Sequence, residues 1–210
     1  MIERILPGAV ASAEAFDDPP DAALYPGEAE MITRAVDKRR REFRTVRHCA
    51  RLALRQLGLP PAPVLRGEHG EPQWPPGVVG SMTHCAGYRA AVVAGSGELR
   101  AVGIDAEPHA ALPADVLDFV LRDEERVPLL ALAGADPSRH WDRIVFCAKE
   151  AVYKAWFPLT GQWLDFEDVS VSVELDGAFR ARLPGAGSQA LDGRWKVDRG
   201  LIVAATSLRP

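Results

Sequence analysis

Two long stretches of this chain repeat apolar residues at intervals of three and four, and each is followed by short runs that suit β-strands. The first stretch lies within residues 32–57 and the second within 141–157. This spacing places the apolar side chains on one face of a helix, so the chain predicts two amphipathic helices. The apolar positions are Phe43, Val46, Ala50, Ala53, Leu54 and Leu57 in the first, and Trp141, Val145, Ala148, Val152 and Ala155 in the second.

The strand-like runs form two groups, one after each helix. The first group is Val78–Thr83, Tyr88–Ala94 and Leu99–Ile104, with Ala86-Gly87 as the turn between the first two. The second group is Val169–Leu175, Phe179–Leu183, Arg194–Val197 and Leu201–Ser207. Helices that are segregated from strand hairpins predict an α+β fold.

Glycine and proline set the expected ends of the helices. Gly58 and Pro60 should end the first helix and Pro158 the second, and a shorter helix is predicted over Val116–Leu130. Residues 1–28 contain few periodic apolar positions, so they predict an irregular leader.

A faint internal echo bears on how the chain is divided. His48-Cys49-Ala50-Arg51 and Phe146-Cys147-Ala148-Lys149 each lie in the middle of a predicted helix that precedes strands. Similarities of four residues also arise by chance, so the echo alone leaves duplication and coincidence equally open. We expect two α+β halves, residues 1–103 and 104–210.

Composition excludes several classes of protein. The longest apolar runs are about five residues, whereas a bilayer span needs about 20, and no apolar segment of a signal peptide follows Met1. Cys49, Cys85 and Cys147 are widely spaced and odd in number, which suits a reducing cytoplasm better than a disulfide framework. A net charge of −4 gives no overall field for nucleic acid. We expect a cytoplasmic protein without membrane or nucleic-acid partners.

One short segment is strongly basic although the whole chain is acidic. Between positions 38 and 51, the single acid Glu42 stands among Lys38, Arg39, Arg40, Arg41, Arg44, Arg47 and Arg51. A local cluster of this kind predicts a pocket or patch for an anion.

Two carboxylates lie two positions apart in the segment Val102-Gly103-Ile104-Asp105-Ala106-Glu107. Residues i and i+2 of a strand point to the same side, so Asp105 and Glu107 face one way. Paired carboxylates are typical ligands of Mg²⁺ beside a phosphate. The ordinary alternative is a solvated strand end, and an isolated pair favours it.

The second predicted helix carries Lys149, Glu150 and Lys154. Glu150 and Lys154 are four apart and could form an ordinary surface ion pair, which the segment alone favours. If this helix faces the carboxylate pair, Glu150 could instead be a third metal ligand or a general base. The two lysines could then meet phosphate oxygens.

The segment Gly80-Ser81-Met82-Thr83-His84-Cys85 combines hydroxyl, imidazole and thiol groups. Adjacent His-Cys pairs do not have the spacing of zinc ligands, and no signature of a Cys–His nucleophile is present. Residues 81–84 suit hydrogen bonding to an anion, and a histidine placed at a hairpin is the plain alternative.

In their order along the chain, these three blocks resemble the signature motifs of a known family. Residues 80–85, 102–107 and 146–155 are similar to the motifs of Sfp-type 4'-phosphopantetheinyl transferases, especially the enterobactin synthase component D-like branch and its actinobacterial members. The resemblance runs from about Lys38 to the C-terminus. It implies a monomer of two pseudo-twofold-related α+β halves with coenzyme A bound between them.

The resemblance also implies roles for individual residues. It places Mg²⁺ at Asp105, Glu107 and Glu150 and makes Glu150 the catalytic base. Ala106 stands where some relatives carry a larger polar residue, so a water is expected in that part of the metal site. Contacts to the 3'-phosphate of coenzyme A are implied for Arg39, Arg66 and His84, and contacts to the rest of the nucleotide for Arg47, Thr83, Asp105, Lys149 and Lys154. His69 lies in a loop where close relatives tend to have lysine, which leaves its role open.

In the implied reaction, a serine hydroxyl of an apo acyl, polyketide or peptidyl carrier protein attacks the β-phosphorus of coenzyme A and expels 3',5'-ADP. This reaction needs no protein nucleophile. A Mg²⁺-dependent nucleotide phosphohydrolase and a non-catalytic coenzyme-binding module would use the same carboxylates and arginines, so the residues alone leave both readings open.

Overall fold

The computed structural model describes residues 1–183 and 190–210. Its helices are α1 (Asp37–Gln56), α2 (Ala114–Val120), α3 (Asp123–Ala135) and α4 (Trp141–Thr160), with short 3-10 turns at Ile2–Ile5, Glu30–Ile32 and Phe166–Asp168. Its strands are β1 (Ala11–Ala15), β2 (Leu65–Arg66), β3 (Pro72–Gln73), β4 (Val78–Cys85), β5 (Tyr88–Gly95), β6 (Ala101–Pro108), β7 (Ser170–Val173), β8 (Ala178–Arg182), β9 (Ala190–Asp198) and β10 (Leu201–Leu208). Among the described helices, none is both long and apolar enough to cross a bilayer.

The strands form two main antiparallel sheets, each covered by one long helix. The first sheet has the order β1-β5-β4 and packs against α1, and the second has the order β6-β10-β9-β8-β7 and packs against α4. Strands β2 and β3 form a separate small hairpin. The predicted α+β fold is confirmed, because both long helices form where the apolar spacing placed them.

The two apolar stripes bury themselves as the periodicity predicts. On α4, Trp141, Val145, Ala148 and Val152 are each less than 4% exposed and belong to one core cluster with residues of the second sheet, including Phe179, Trp195 and Ile202. On α1, Ala50 packs beside Ala91 of β5, and Ala53 and Leu54 pack beside Val93 of the same strand. Burial of these stripes therefore fixes which side of each helix remains available for a site.

Strands β4 and β6 join the two sheets through side-chain hydroxyls. The N–H of Ile104 donates to Ser81 Oγ at 3.1 Å, and the N–H of Ala106 donates to Thr83 Oγ1 at 3.1 Å. Because the partners advance together along both strands, β4 and β6 run side by side in the same direction. The hydroxyls predicted to hydrogen-bond an anion thus align β4 with β6, the strand that carries the carboxylate pair.

The four-residue echo occupies equivalent positions in the two halves. Cys49 on α1 points its thiol at the carbonyl of Arg89 on the central strand of the first sheet. Cys147 on α4 does the same with the carbonyl of Ile202 on β10. Both thiols are buried, so each echo segment lies at the helix–sheet contact of its half.

The charged ends of the two echo segments are equivalent as well. Arg51 binds the buried carboxylate of Glu28 at 3.1 Å, and Lys149 binds the buried carboxylate of Glu125 at 2.8 Å. Each carboxylate also accepts the backbone N–H three residues before it and a second N–H from a later segment, at Val64 or Val171. This shared arrangement supports duplication over coincidence. The division into residues 1–103 and 104–210 stays a prediction, and β6, which spans that boundary, pairs with β10 of the second sheet.

Three of the predicted elements differ from the structure. The leader is not irregular throughout, because β1 pairs with β5 along its whole length and Ile2 is fully buried. The helix predicted over Val116–Leu130 is two helices, α2 and α3, which are separated at Leu121 and Arg122. Helix α4 continues past Pro158 to Thr160 and ends at Gly161, which has a φ of 66°. A left-handed glycine, rather than the proline, stops this helix.

Gly103 lets α4 approach β6 closely. A Cβ at this position would lie 2.0 Å from the carbonyl oxygen of Ala151 and 2.7 Å from the backbone nitrogen of Ala155. We expect Gly103→Ala to lower the free energy of unfolding by about 1–3 kcal/mol through overpacking. Gly134→Ala in α3, where a Cβ meets nothing within 4 Å, is the control. This substitution should raise the free energy of unfolding by about 0.5–1 kcal/mol. Equal unfolding free energies for both variants in urea would contradict the close contact.

Candidate active site

A cleft of about 400 Å³ opens where α1, β4, β6, α4 and the β2–β3 hairpin meet. This volume lies within the range of small-molecule sites. Its walls include most of the residues singled out from the sequence, namely Arg39, Arg47, Arg66, His69, Thr83, His84, Asp105, Glu107, Glu150 and Lys154. Segments that are far apart along the chain therefore converge on one site.

One wall of the cleft is basic. Arg39 contacts the Nε2 atom of His84, and Arg47 lies with its guanidinium carbon 3.2 Å from the centre of the Phe43 ring. The Nε–H of Arg47 donates to the carbonyl of Val64 at 3.0 Å. Burial lowers the pKa of Arg47 to about 9, so the group is still a cation at neutral pH. The cleft thus holds fixed arginine forks that suit phosphate oxygens.

The arginines of the basic segment 38–51 lie in different environments, and Arg51 is buried against Glu28. Arg39 and Arg47 line the cleft, whereas Arg40, Arg41 and Arg44 line a separate surface groove on α1. Two arginines of the segment predicted to form an anion pocket or patch therefore line the cleft, and anion binding by them stays a prediction. Helical periodicity is the reason, because side chains one and two positions apart point in different directions.

His84 supplies a neutral imidazole to the basic wall. Burial, with the charge of Arg39 as the next cause, lowers the pKa of His84 to about 4. Its Nδ1 lies 3.6 Å from a carboxylate oxygen of Glu42. Near neutral pH the ring therefore acts through a hydrogen bond, and the positive charge beside it comes from Arg39.

The opposite wall holds the carboxylate pair of β6. Asp105 and Glu107 both line the cleft, while Ala106 between them is 1% exposed and packs in the core of the protein. Successive side chains of β6 thus alternate between the cleft and the core, as predicted. Ala106 has no side-chain oxygen and turns its methyl group away from the cleft, so its side chain contributes no metal ligand.

The two oxygens of Asp105 have different surroundings. Oδ1 accepts hydrogen bonds from the Thr83 hydroxyl at 3.0 Å and from the Lys154 ammonium at 2.5 Å. Oδ2 is buried and has no partner in the described structure. Leaving a carboxylate oxygen unpaired in this way is costly, so Oδ2 is the atom of Asp105 that could bind a cation.

Glu107 is held in a similar manner. Arg143 Nη1 lies 3.0 Å from Glu107 Oε2, and Oε1 makes no hydrogen bond within the described residues. Burial, with the charge of Asp105 as the next cause, raises the pKa of Glu107 to about 6. Two carboxylates are therefore kept close together with one oxygen each directed away from its cation partner.

Two carboxylates on one side of a strand are a donor set that could hold a hard divalent cation. Within residues 1–183 and 190–210, no three His, Cys, Asp or Glu side chains are grouped as a complete metal site. Mg²⁺ does not require such a group, because it usually keeps several waters and binds one or two carboxylates together with substrate phosphates.

Glu150 lies where the cleft meets a second groove. This groove of about 280 Å³ shares Glu150 and Tyr153 with the cleft and is also lined by Lys149, Trp163, Leu164 and Phe166. Burial raises the pKa of Glu150, the charge of Lys154 opposes this effect and the charge of Asp105 adds to it, so the pKa is raised. Within the described structure its carboxylate has no ion pair or hydrogen bond. Glu150 is thus available to accept a proton.

Several cleft residues were missed by the sequence analysis. Phe146, Tyr153 and Phe157 line the cleft from α4, and the ring of His69 packs edge-on against Phe157 with centroids 5.3 Å apart. These aromatic residues lie three, four or seven positions from Glu150. The same spacing that predicted the buried stripe of α4 could have identified this second face.

The structure does not bring Lys149 to the cleft. Its ammonium is 2% exposed and donates to Glu125 at 2.8 Å and to the carbonyls of Val120 and Phe166 at 2.7 and 3.0 Å. These three partners use all the donors of an ammonium group. The phosphate contact implied for Lys149 by the resemblance therefore has no support in this geometry.

Comparison with known proteins gives the family. The model of the 4'-phosphopantetheinyl transferase N-terminal domain matches residues 27–94, and the model of the 4'-phosphopantetheinyl transferase superfamily matches residues 101–206. The 4'-phosphopantetheinyl transferase PptT of Mycobacterium tuberculosis is 51% identical over 224 residues, which cover 99% of this chain and 98% of that protein. This chain belongs to the 4'-phosphopantetheinyl transferase superfamily.

Other relatives of this phosphopantetheinyl transferase agree with that assignment. The transferase Svp of Streptomyces mobaraensis is 49% identical, covering 99% of this chain and 89% of that protein. The transferase Npt of Nocardia iowensis is 48% identical, covering 98% of both chains. Enterobactin synthase component D of Salmonella typhi is 33% identical over 131 residues, covering 60% of this chain and 52% of that protein. The resemblance drawn from the three motif blocks is confirmed.

The position of Lys149 in this phosphopantetheinyl transferase predicts a stability defect. Lys149→Met leaves the buried carboxylate of Glu125 without its cation, which should lower the free energy of unfolding by about 3–5 kcal/mol. The affinity of the remaining folded protein for coenzyme A should not change. Lys154→Met, which alters a cleft residue, is the comparison. Denaturant unfolding and calorimetry measure both quantities, and weakened coenzyme A binding at normal stability would place Lys149 in the cleft.

Proposed function

We propose that this protein transfers the 4'-phosphopantetheine group of coenzyme A to a serine of an apo carrier protein in a Mg²⁺-dependent reaction that releases 3',5'-ADP. The observation that carries the proposal is that a basic wall and a carboxylate wall face each other across one cleft. The basic wall suits a ligand with three phosphates, and the carboxylate wall offers one free oxygen from each of Asp105 and Glu107. Its membership of the superfamily gives the reaction type.

The basic wall would hold the nucleotide end of coenzyme A. Arg39 supplies charge and His84 a neutral hydrogen bond to the 3'-phosphate, and Arg66 lies at the same end of the cleft. Arg47 is pre-positioned by Phe43 for another phosphate oxygen. Fixed forks of this kind lose little side-chain freedom on binding. Thr83 is the hydroxyl nearest the pyrophosphate side, because it already bonds Asp105.

Asp105 and Glu107 would hold Mg²⁺ through Oδ2 and Oε1. When bound, the ion would offset the negative charge that develops on the 3',5'-ADP leaving group as the pyrophosphate linkage breaks. Lys154, which lies against Asp105, adds a second positive charge at the same place. The carboxylate of Glu150 makes no hydrogen bond or ion pair in the described structure. We therefore assign proton transfer, rather than metal binding, as its main role.

Glu150 would act as the general base. The serine oxygen of the carrier forms a bond to the β-phosphorus, the bond from that phosphorus to the bridging oxygen of 3',5'-ADP breaks, and the serine proton passes to the Glu150 carboxylate. The pKa of Glu150 is raised, which brings the pKa closer to neutral pH and makes the carboxylate a better base. The adjacent aromatic groove gives an apolar surface on which the pantetheine arm can lie.

An intact-mass assay tests this function against the two other readings. The protein is incubated with coenzyme A, Mg²⁺ and an apo carrier protein, and the mass of the carrier is measured. A transferase adds one phosphopantetheine group to the carrier and releases 3',5'-ADP. Phosphate release without a carrier would instead indicate a phosphohydrolase, and binding of coenzyme A without either product would indicate a non-catalytic module.

The role of His84 predicts a selective loss of affinity. His84→Ala should lower the affinity for coenzyme A about tenfold to a hundredfold, the value of a hydrogen bond to a charged group. The affinity for 3'-dephospho-coenzyme A should fall much less, because that ligand lacks the 3'-phosphate. Lys38→Ala, whose side chain is 71% exposed outside the cleft, should change neither. Equal losses for both ligands in calorimetry would remove His84 from the 3'-phosphate.

A further inference from the structure

Arg143 uses its guanidinium to hold the chain that follows the carboxylate pair. Nη1 lies 3.0 Å from Glu107 Oε2, Nε donates to the carbonyl of Ala110 at 3.1 Å, and Nη2 donates to the carbonyl of Ala111 at 3.0 Å. A planar fork that satisfies three acceptors at once leaves little freedom to the groups it binds. None of the motif blocks contains Arg143, and it does not line the cleft.

The residue before Arg143 strengthens the same connection. Asp142 accepts the N–H of Leu112 at 2.7 Å, and Leu112 is 7% exposed. The first turn of α4 therefore fastens the segment from Glu107 to Leu112 at both of its ends. Glu107 and Pro108 pair with β10, and the N–H of His109 donates to the carbonyl of Gly200. Residues 110–112 have no strand pairing, so the contacts from α4 hold this last part of the segment.

The two carboxylates of the site are held by one helix in a parallel way. Lys154 holds Oδ1 of Asp105 and Arg143 holds Oε2 of Glu107. Arg143 and Lys154 are eleven residues apart on α4, which is about three helical turns, so they lie on the same face. Each cation occupies one carboxylate oxygen and leaves the other free. The geometry of the free pair thus depends on both contacts.

We propose that Arg143 is a positioning residue that orients Glu107 so that Oε1 is directed at the cation shared with Asp105. This inference rests on the Mg²⁺ site of the proposed function. A glutamate has more rotatable bonds than an aspartate, and Glu107 lies near the end of its strand. Without a fixed partner its free oxygen would sample several positions, which weakens a site that needs both oxygens at once.

The alternative role of Arg143 is competition with the metal for Glu107. If Arg143 only competed with the metal for Glu107, its removal would free the carboxylate and tighten metal binding. Positioning predicts weaker metal binding instead. The sign of the change therefore separates the two.

Arg143→Met keeps the aliphatic stem and removes all donors, and Arg143→Lys keeps the charge without the fork. Calorimetry of Mg²⁺ binding to the coenzyme A complex should show about tenfold to a hundredfold weaker binding for Arg143→Met and a smaller loss for Arg143→Lys. The Mg²⁺ concentration that gives half-maximal transfer should rise by a similar factor, while kcat at saturating Mg²⁺ stays within a few-fold of wild type. Coenzyme A affinity without metal should be unchanged. Arg126→Met, which removes an exposed ion pair to Asp118 on α2, is the control.

A double-mutant cycle shows whether Arg143 acts through Glu107. In the background of Glu107→Gln, adding Arg143→Met should cause no further loss of Mg²⁺ affinity. Unchanged or tighter Mg²⁺ binding by Arg143→Met, or full additivity in the cycle, would overturn the inference while leaving the proposed function intact. A wild-type protein that transfers the group without Mg²⁺ and does not bind the ion in calorimetry would overturn the Mg²⁺ site on which this inference rests, and a protein that does not modify the carrier at all would overturn the proposed function.

Discussion

Asp105→Asn is expected to lower the rate of transfer at least about a hundredfold at any Mg²⁺ concentration that the protein tolerates. The metal and its ligands supply several kcal/mol of charge stabilisation in such reactions, and each 1.4 kcal/mol is about tenfold in rate. Asparagine keeps the size of the side chain and its bond with Thr83, but it replaces the unpaired Oδ2 or the Lys154 acceptor with a neutral group. The measurement is the initial rate of carrier modification by intact mass.

The fold should survive this substitution. Asp105 and Glu107 are like charges in a partly buried site, and Glu107 has a raised pKa partly because of Asp105. Removing one charge relieves that repulsion, but Lys154 loses its partner charge. The amide oxygen of asparagine still accepts a hydrogen bond from Lys154, so the protein should stay folded with a moderately lower melting temperature. Asp118→Asn on α2, which affects an exposed ion pair, is the matched control. Wild-type transfer rates in Asp105→Asn would refute the assignment of Oδ2 as a ligand atom.

Glu150→Gln is expected to slow single-turnover transfer by about 10²–10⁴, the usual contribution of a general base. Glutamine keeps the shape and one carbonyl oxygen, but it does not accept the serine proton. Because the loss concerns proton transfer, added Mg²⁺ should not restore the rate. Binding of coenzyme A should stay close to wild type, since Glu150 has no contact with the basic wall within the described structure.

A Mg²⁺ series separates the two roles that the resemblance gave to Glu150. Single-turnover rates are measured for wild type, Glu150→Gln and Glu124→Gln, the last being a control at an exposed ion pair of α3. Recovery of Glu150→Gln to near wild-type rates at high Mg²⁺ would make the carboxylate a metal ligand. The base would then have to be a bound water.

Local patterns were sufficient for most of the fold. The helices α1 and α4 and the strands β4, β5 and β10 form close to where periodicity placed them, because burial of one face dominates their stability. Strand β1 escaped prediction because its five residues, Ala11–Ala15, carry no large apolar side chain. Its stability comes from pairing with β5, which is a long-range contact that no short window contains.

The alternation of β6 was also enough to place Asp105 and Glu107 on the same side and Ala106 on the other. That statement needs only the period of a strand. The sequence did not reveal which cations would hold the two carboxylates. Arg143 and Lys154 come from a helix about 40 residues farther along the chain, and their side chains reach β6 only because Gly103 allows α4 to pack closely on it.

The family motifs, the two amphipathic helices and the shared face of the carboxylate pair follow from local sequence patterns. The surroundings of the neighbours Lys149 and Glu150 depend on tertiary packing instead. The two residues differ by about 100° around α4, a relation that the sequence defines, but it does not say which of the two faces the cleft. Packing of α2, α3 and the turn at Phe166–Asp168 encloses Lys149 with Glu125, and Glu150 is left at the opening. The helical period fixes the angle between two side chains, whereas the elements that pack on each face of the helix decide which side chain is buried and which one faces the cleft.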